Sequence, residues 1–297
     1  MTVIHQNPTL LSQQILMDFF QITTIKVLDI LQILKLGKAS GLDSIIHQMP
    51  LKKTRVILSV FLSLLFNISL SKSIGNVFER IVFKEVFNHL ISNNLLYAFQ
   101  SGFVPGHSTV HQLIEIYYRI YISLDDYCFT TPILCDISKA FDRVWHTGLL
   151  LKLKAYGADG KLFKWFESYI SSRKQCVFVS NSLSPLINTH VGVPQVLVLE
   201  PLLFLLYVND IEDNLLCLTR MFADDTSLLY SSQSPYTIED VMNSDLESIS
   251  IWSKQWLVNF NPLKIKTMVF SNINLPSDVE ITFHDKLVEF VTCHKHF

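Results

Sequence analysis

A surplus of positive charge is missing from this 297-residue chain, in which 24 Lys and Arg stand against 26 Asp and Glu. Proteins that grip phosphate backbones through bulk charge carry a clear basic excess. Any nucleic-acid contact must therefore come from residues in particular places. The five cysteines (Cys128, Cys135, Cys176, Cys217 and Cys293) include no CxxC pair and no metal-ligand spacing. That argues against a zinc module and predicts reduced core thiols rather than a disulfide framework. The start, "MTVIHQNPTLLSQQ", lacks a charged region followed by an apolar run, so no secretory leader is expected. An uncharged run of the ~20 residues needed to span a membrane is also lacking. The one candidate, "VILSVFLSLLFNISL" at 56–70, has 15 residues between Lys52, Lys53, Arg55 and Lys72. It reads as a buried core helix, with no stable membrane association and an intracellular location, cytoplasm or nucleus. Repeats and low-complexity tracts are absent too, and the sequence leaves the oligomeric state open.

What is present is apolar and aromatic. With 49% hydrophobic and 12% aromatic residues, the chain can bury a substantial core, and disorder is excluded. Helical periodicity runs through 9–36, ending near Gly37, and again through "VFERIVFKEVFNHLISNNLL", 77–96. A loop, "QSGFVPGHST", precedes a helix over 109–124 capped by Ser108 or Thr109. The run "TTPILCDI", 130–137, reads as a short strand ending in an acid. One helix is expected over "KAFDRVWHTGLLLKLKAYG", closing at Gly157, and another over "KLFKWFESYISS". A hairpin follows over 174–195 with its turn from Asn181–Ser182 to Pro185, then the apolar helix "VLEPLLFLLYVNDI". A capping box of Thr237 and Asp240 opens a last long helix, whose buried stripe holds Ile238, Val241, Met242, Ile249, Trp252 and Trp256. Few strands with helices between them predict an α+β fold, one antiparallel sheet backed by helices.

The stretch "RMFADDTSLLY", 220–230, places Asp224 and Asp225 at the tip of a hairpin between apolar flanks. Asp is a common turn residue, so a polar turn is the plain reading. Three features point further. Ala223 is small enough for another backbone to approach closely, the flanks are apolar, and Asp136 ends a strand, where open sheets carry site residues. Acids from neighbouring strands cannot all stay ionised at close range without a cation. A pair of Mg²⁺ ions, which favour oxygen ligands, would resolve the repulsion and supply two-metal phosphoryl chemistry.

Six pieces, in order, resemble the reverse transcriptase of non-LTR (LINE-type, jockey-like) retrotransposons. They are "LGKASGLDSI", "QSGFVPGHST", "CDISKAFDRVWH", "GVPQ…PLLFLLYVNDI", "FADDT" and "WLVNFNPLKIKTMVFS", spanning about residue 22 to the C-terminus. The resemblance implies a polymerase palm, with a partial helical fingers region over 1–76 and the fingers–palm core over 77–297. It implies RNA-templated addition of dNTPs to a DNA primer 3′-hydroxyl, with two Mg²⁺ ions or Mn²⁺ in their place. By the same resemblance, Asp136 is the first metal ligand, with the Ile137 carbonyl beside it, and Asp224 and Asp225 are the acids opposite. Phe141 is the ring that closes the sugar pocket against a 2′-hydroxyl. Gln195 contacts template and nucleotide. Lys264 is the lysine near the triphosphate, though Lys266, two positions on and expected on the same strand face, competes for that role. Asp142 and Arg143 are assigned a structural role, pinning the helix after the strand.

The sequence departs from the family pattern in four places. Val196, Leu197 and Glu200 stand in "GVPQVLVLEP" where the family has Gly, Ser and Gly, and Val104 stands where Arg is common. The join "SLSKSIGNVFER", 69–80, omits a basic stretch of the fingers. The chain ends at "VTCHKHF", so by the resemblance neither a thumb nor a preceding endonuclease domain is expected in it. A catalytically dead retroelement remnant is therefore the alternative to an active polymerase.

Overall fold

The computed structural model describes residues 72–171, 173–179, 182–193 and 198–293. The helix expected over 9–36, the apolar run 56–70, and Gln195, Val196 and Leu197 lie outside the described residues. No helix among the described residues is long and apolar enough to cross a membrane.

Two eight-residue strands, β1 (Phe129–Asp136) and β7 (Asp225–Ser232), form the middle of the fold. They pair antiparallel from Phe129↔Ser232 to Asp136↔Asp225, so the three acids gather at one end of the ladder. All of β1 except its terminal acid is buried, as a continuous apolar run covered on both faces should be. β6 (Leu218–Phe222) flanks β7 on one side, and β8 (Lys266–Thr267) flanks β1 on the other. β9 (Glu289–Phe290) adds a parallel edge, giving a five-stranded sheet of order β9-β8-β1-β7-β6. Pro132 fits this central strand because pairing is interrupted beside it. Ile133 pairs with Thr267 and Thr130 with Phe270, and between them the Pro132 carbonyl still accepts from Met268 N (3.2 Å) while no N–H is asked of the proline.

Six helices among the described residues surround this sheet: α1 (Lys72–Ser92), α2 (Thr109–Asp125), α3 (His146–Ala155), α4 (Gly160–Ser171), α5 (Glu200–Val208) and α6 (Pro235–Trp256). This is the α+β palm expected from the sequence. α5 is apolar all round and buried from Leu202 to Val208, as a helix enclosed by its neighbours must be. Behind the sheet, buried Lys152 of α3 donates to Asp210 and to the Tyr207 carbonyl (2.5 Å), and its ammonium lies 3.9 Å from the Trp256 ring centre. Trp252 Nε1 donates to the same Asp210 oxygen at 2.9 Å. This polar knot ties α3, α5 and α6 together.

Several local expectations are corrected. The helix expected to run unbroken to Gly157 is divided into a 3₁₀ turn at Phe141–Arg143 and α3, with Val144 and Trp145 extended between them. The reason is tertiary: Val144 and Trp145 pair with the 191–192 backbone instead of with their own helix. The hairpin expected over 174–195 carries strand where part of its turn was expected. β3 (Phe178–Val179) pairs with β4 (Ser182–Leu183) and β2 (Lys174–Gln175) with β5 (Ile187–Asn188), so Ser182 and Leu183 are strand, not turn. Ser234, not Thr237, caps α6: its hydroxyl accepts from Thr237 N, and Pro235 follows in the first turn, where its missing N–H costs nothing. Ser108 is the α2 N-cap residue, but its hydroxyl bonds His111 Nδ1 (3.3 Å) and not a helix amide. All five cysteines are free, but only Cys135 and Cys217 are buried thiols, while Cys176 and Cys293 are exposed.

Candidate active site

β6 and β7 are joined by a two-residue turn, Ala223–Asp224, with Phe222 and Asp225 as the last ladder pair. Ala223 has φ 59°, a left-handed conformation at the first turn position that suits the twist of a tight hairpin. The turn sends Asp224 off the tip, while Asp225 begins β7 directly opposite Asp136. Cross-strand partners project from the same face, so the local pattern of "FADD" and the register of β1 together bring the carboxylates to one place.

Opposite the tip, the chain after α6 runs along the end of β1. Ile137 bridges Phe260, Ser138 N donates to Asn259 O (2.8 Å), and Asn261 N donates to Asp136 O (3.4 Å). A turn then forms over Asn261–Lys264, with Lys264 N bonded to Asn261 O (2.9 Å) and Asn261 Oδ1 accepting from Leu263 N (3.1 Å). Asn and Pro in its first two positions favour such a turn. It delivers Lys264 Nζ to Asp136 Oδ2 at 2.6 Å. Lys266 lies inside β8 and pairs with Glu289, so the two lysines do not share a strand face as expected. Only Lys264 reaches the acids.

Phe141 is partly buried, its ring 4.6 Å from Phe204 and 6.0 Å edge-on to Phe103. It is therefore held between the core and the loop that follows α1. The backbone of Phe141–Val144 also receives the segment leading to Gln195: Val193 N donates to Phe141 O (2.9 Å) and Gly192 N to Val144 O (2.8 Å). Gly192 has φ 88°, and a Cβ there would stand 3.0 Å from Asp142 O, so this approach requires glycine. Ile137 is buried, so its side chain belongs to the core.

The electrostatics reflect crowded acids. Partial burial first, then the Asp224 and Asp136 charges, push Asp225 up to about 6, against which Lys264 acts in the opposite direction. Burial and the Asp136 charge likewise raise Asp224. The hydrogen bond and charge of Asp136 hold the Lys264 ammonium above the ordinary lysine range. As the side chains stand, no three His, Cys, Asp or Glu groups among the described residues are arranged to hold a metal ion, and Asp136 is engaged by Lys264. The donor set nevertheless suits a hard divalent cation: it is all oxygen, and burial together with the neighbouring acids makes Asp224 and Asp225 resist ionisation.

The sequence had not singled out two residues that support this turn. Gln100 is 2% exposed and bonds the Ala223 and Gly102 amides, and Gly102 lies against the turn backbone. The available signal was Ala223, whose small side chain implied a close backbone neighbour. Nothing local identified that neighbour. Asn209 was likewise missed. It bonds Leu95 O, Tyr97 N and the Tyr156 hydroxyl, holding the 95–97 chain against α5.

The site can be compared with known proteins. The chain is 32% identical over 209 residues to the probable RNA-directed DNA polymerase from transposon X-element of Drosophila melanogaster, covering 69% of this chain and 23% of that protein. It is 28% identical over 214 residues to the RNA-directed DNA polymerase from mobile element jockey of the same organism, covering 69% and 23%. The chain thus spans about a quarter of the length of these curated relatives. Among solved structures, telomerase from Candida tropicalis in complex with the TWJ fragment of telomeric RNA is similar at 14% identity and a TM-score of 0.49, over 69% of this chain and 35% of that one. From residue 66 to residue 292, the sequence matches the reverse transcriptase (RNA-dependent DNA polymerase) family, and the chain belongs to it.

Proposed function

We propose that the end of the β1–β7 ladder is a polymerase active site that extends a DNA primer by dNTP addition on an RNA template. The observation that carries this reading is the register Asp136↔Asp225, which places one acid opposite two others beside a lysine. Asp136, Asp224 and Asp225 are the residues that would hold two Mg²⁺ ions, or Mn²⁺ in their place, with the Ile137 carbonyl at their edge. Divalent cations at such a site lower the pKa of an attacking hydroxyl and stabilise the leaving oxygen of an in-line displacement.

The chain's own residues do the remaining work. Once Asp136 is engaged elsewhere, Lys264 is free to swing from it towards a triphosphate and supply a proton to departing pyrophosphate. Phe141 forms the floor under the sugar and excludes a 2′-hydroxyl. Gln195 follows the Gly192–Val193 segment docked beside Phe141, which supports a role against template and nucleotide.

Purified protein should extend an oligo(dT) primer on poly(rA) with Mg²⁺ or Mn²⁺, and Asp224→Asn should abolish extension. If the wild type incorporates no more than that variant, the catalytic reading fails and the chain is a non-enzymatic member of its family.

A further inference from the structure

We infer that Gln100 is the positioning residue of the acid-bearing turn, its side-chain oxygen holding Ala223 in the conformation from which Asp224 and Asp225 project. This rests on reading that turn as the polymerase site. The ladder ends at Phe222↔Asp225, so no β-partner holds the Ala223 amide. Gln100 Oε1 accepts from that amide at 3.2 Å and from Gly102 N at 2.8 Å. Both partners are donors, which settles which end of the side-chain amide faces them.

The main chain on either side of Gln100 is tied to the same hairpin. Ser101 N donates to Met221 O (2.9 Å), Met221 N donates to Phe99 O (3.2 Å), and the Tyr97 hydroxyl donates to Thr219 O (3.0 Å). Segment 97–102 therefore moves with β6, and Gln100 carries that anchorage to the turn. Gly102 sets how near it sits. A Cβ at 102 would lie 2.0 Å from Ala223 N and 2.7 Å from Phe222 C, so any side chain there displaces the tip.

Burial alone does not account for a glutamine here. Gln100 Nε2 is buried without a hydrogen-bond partner. An unpartnered amide donor is costly to bury, and an apolar side chain would fill the space without that cost. The oxygen is what the position needs, because the turn amide would otherwise be orphaned too. The same segment carries Phe103 onto Phe141, so one stretch of chain spaces both the acids and the ring beneath the sugar.

The test is amide hydrogen exchange on the full chain, joined to primer-extension kinetics, for wild type, Gln100→Met and Gln100→Glu. In the wild type, the Ala223 amide should be protected although it lies in a turn. Gln100→Met should lower protection at Ala223 and Gly102 by about tenfold or more while the β1–β7 amides hold. Gln100→Glu, which keeps an oxygen at the same place, should retain that protection. Turnover of Gln100→Met should fall about a hundredfold, the scale of a small misplacement, with the dNTP KM within about twofold. An unprotected Ala223 in the wild type overturns the inference even where Gln100→Met does not fold. Unchanged protection in Gln100→Met, or loss spread evenly over β1 and β7, overturns it as well. A wild type with the expected exchange pattern but no extension would sink the polymerase reading and leave the clamp standing.

Discussion

Lys264 donates to Asp136 Oδ2 at 2.6 Å, whereas Lys266, two residues later, pairs with Glu289 at the sheet edge. The two lysines are nearly equivalent in sequence and differ in what they touch. Lys264→Met is expected to lower turnover about a hundredfold, as loss of a general acid does. It should also move the Asp225 carboxyl titration upward, since Lys264 opposes that shift. Lys266→Met removes a pair at the sheet edge and should change stability by less than about 1 kcal/mol. Carboxyl-detected NMR and steady-state kinetics distinguish the two, and equal effects would refute the assignment.

The acid turn gives the cation-free protein a pH signature. Asp225 holds its proton up to about 6, against an ordinary value of 3.8. A raised folded-state pKa means the folded chain binds more protons than the unfolded chain between those values. Its contribution to stability is full below about pH 4 and is lost as the pH rises through about 6. The melting temperature of wild type minus that of Asp225→Asn should therefore fall from pH 4 to pH 7 and then level off. A difference that rises with pH would contradict this electrostatic account.

Cation binding should reverse that loss. At a free Mn²⁺ concentration a hundredfold above Kd, the native state gains about 2.7 kcal/mol. Asp224→Asn and Asp225→Asn should each lose most of this gain in a thermal melt at pH 7. Equal stabilisation of all three proteins would place the cation elsewhere.

These contrasts show what could be read from the chain. The acids were legible because each rests on a local pattern: a tight turn between apolar strands, and an apolar run that stops at Asp136. Phe141–Trp145 was misread as continuous helix because its competing partner, the 191–193 backbone, is distant in sequence. The α6 cap was misplaced because Thr237 and Asp240 mimic a capping box while Ser234–Pro235 supplies the actual start. Gln100 could not be found at all, since its role depends on a contact 123 residues away.

Behind the sheet, Asp210→Ala should destabilise by about 3–5 kcal/mol, because it strands the buried Lys152 ammonium. Lys152→Met combined with Asp210→Leu should recover much of that loss, since no charge is then left unpaired. Urea unfolding measures both, and a double variant no better than the single would show that the knot acts through packing.

Phe141→Ala should weaken discrimination between dNTPs and NTPs by about tenfold or more, read from competitive incorporation on one primed template. Unaltered discrimination would make the ring a packing residue between Phe103 and Phe204.

The burial of nearly all of β1 has a consequence for how mutations are tolerated. A strand with one wet face resists slippage because a shift would expose its apolar side, but β1 has no such penalty to align it. Among the contacts that fix its alignment is a chain of hydroxyls at the far end, where Thr130 meets Ser123 and, at 2.8 Å, Ser231. A single inserted or deleted residue between Thr130 and Asp136 could leave the strand paired and the protein folded while turning the acid to the opposite side of the sheet. Indels in this stretch should silence the chain without unfolding it.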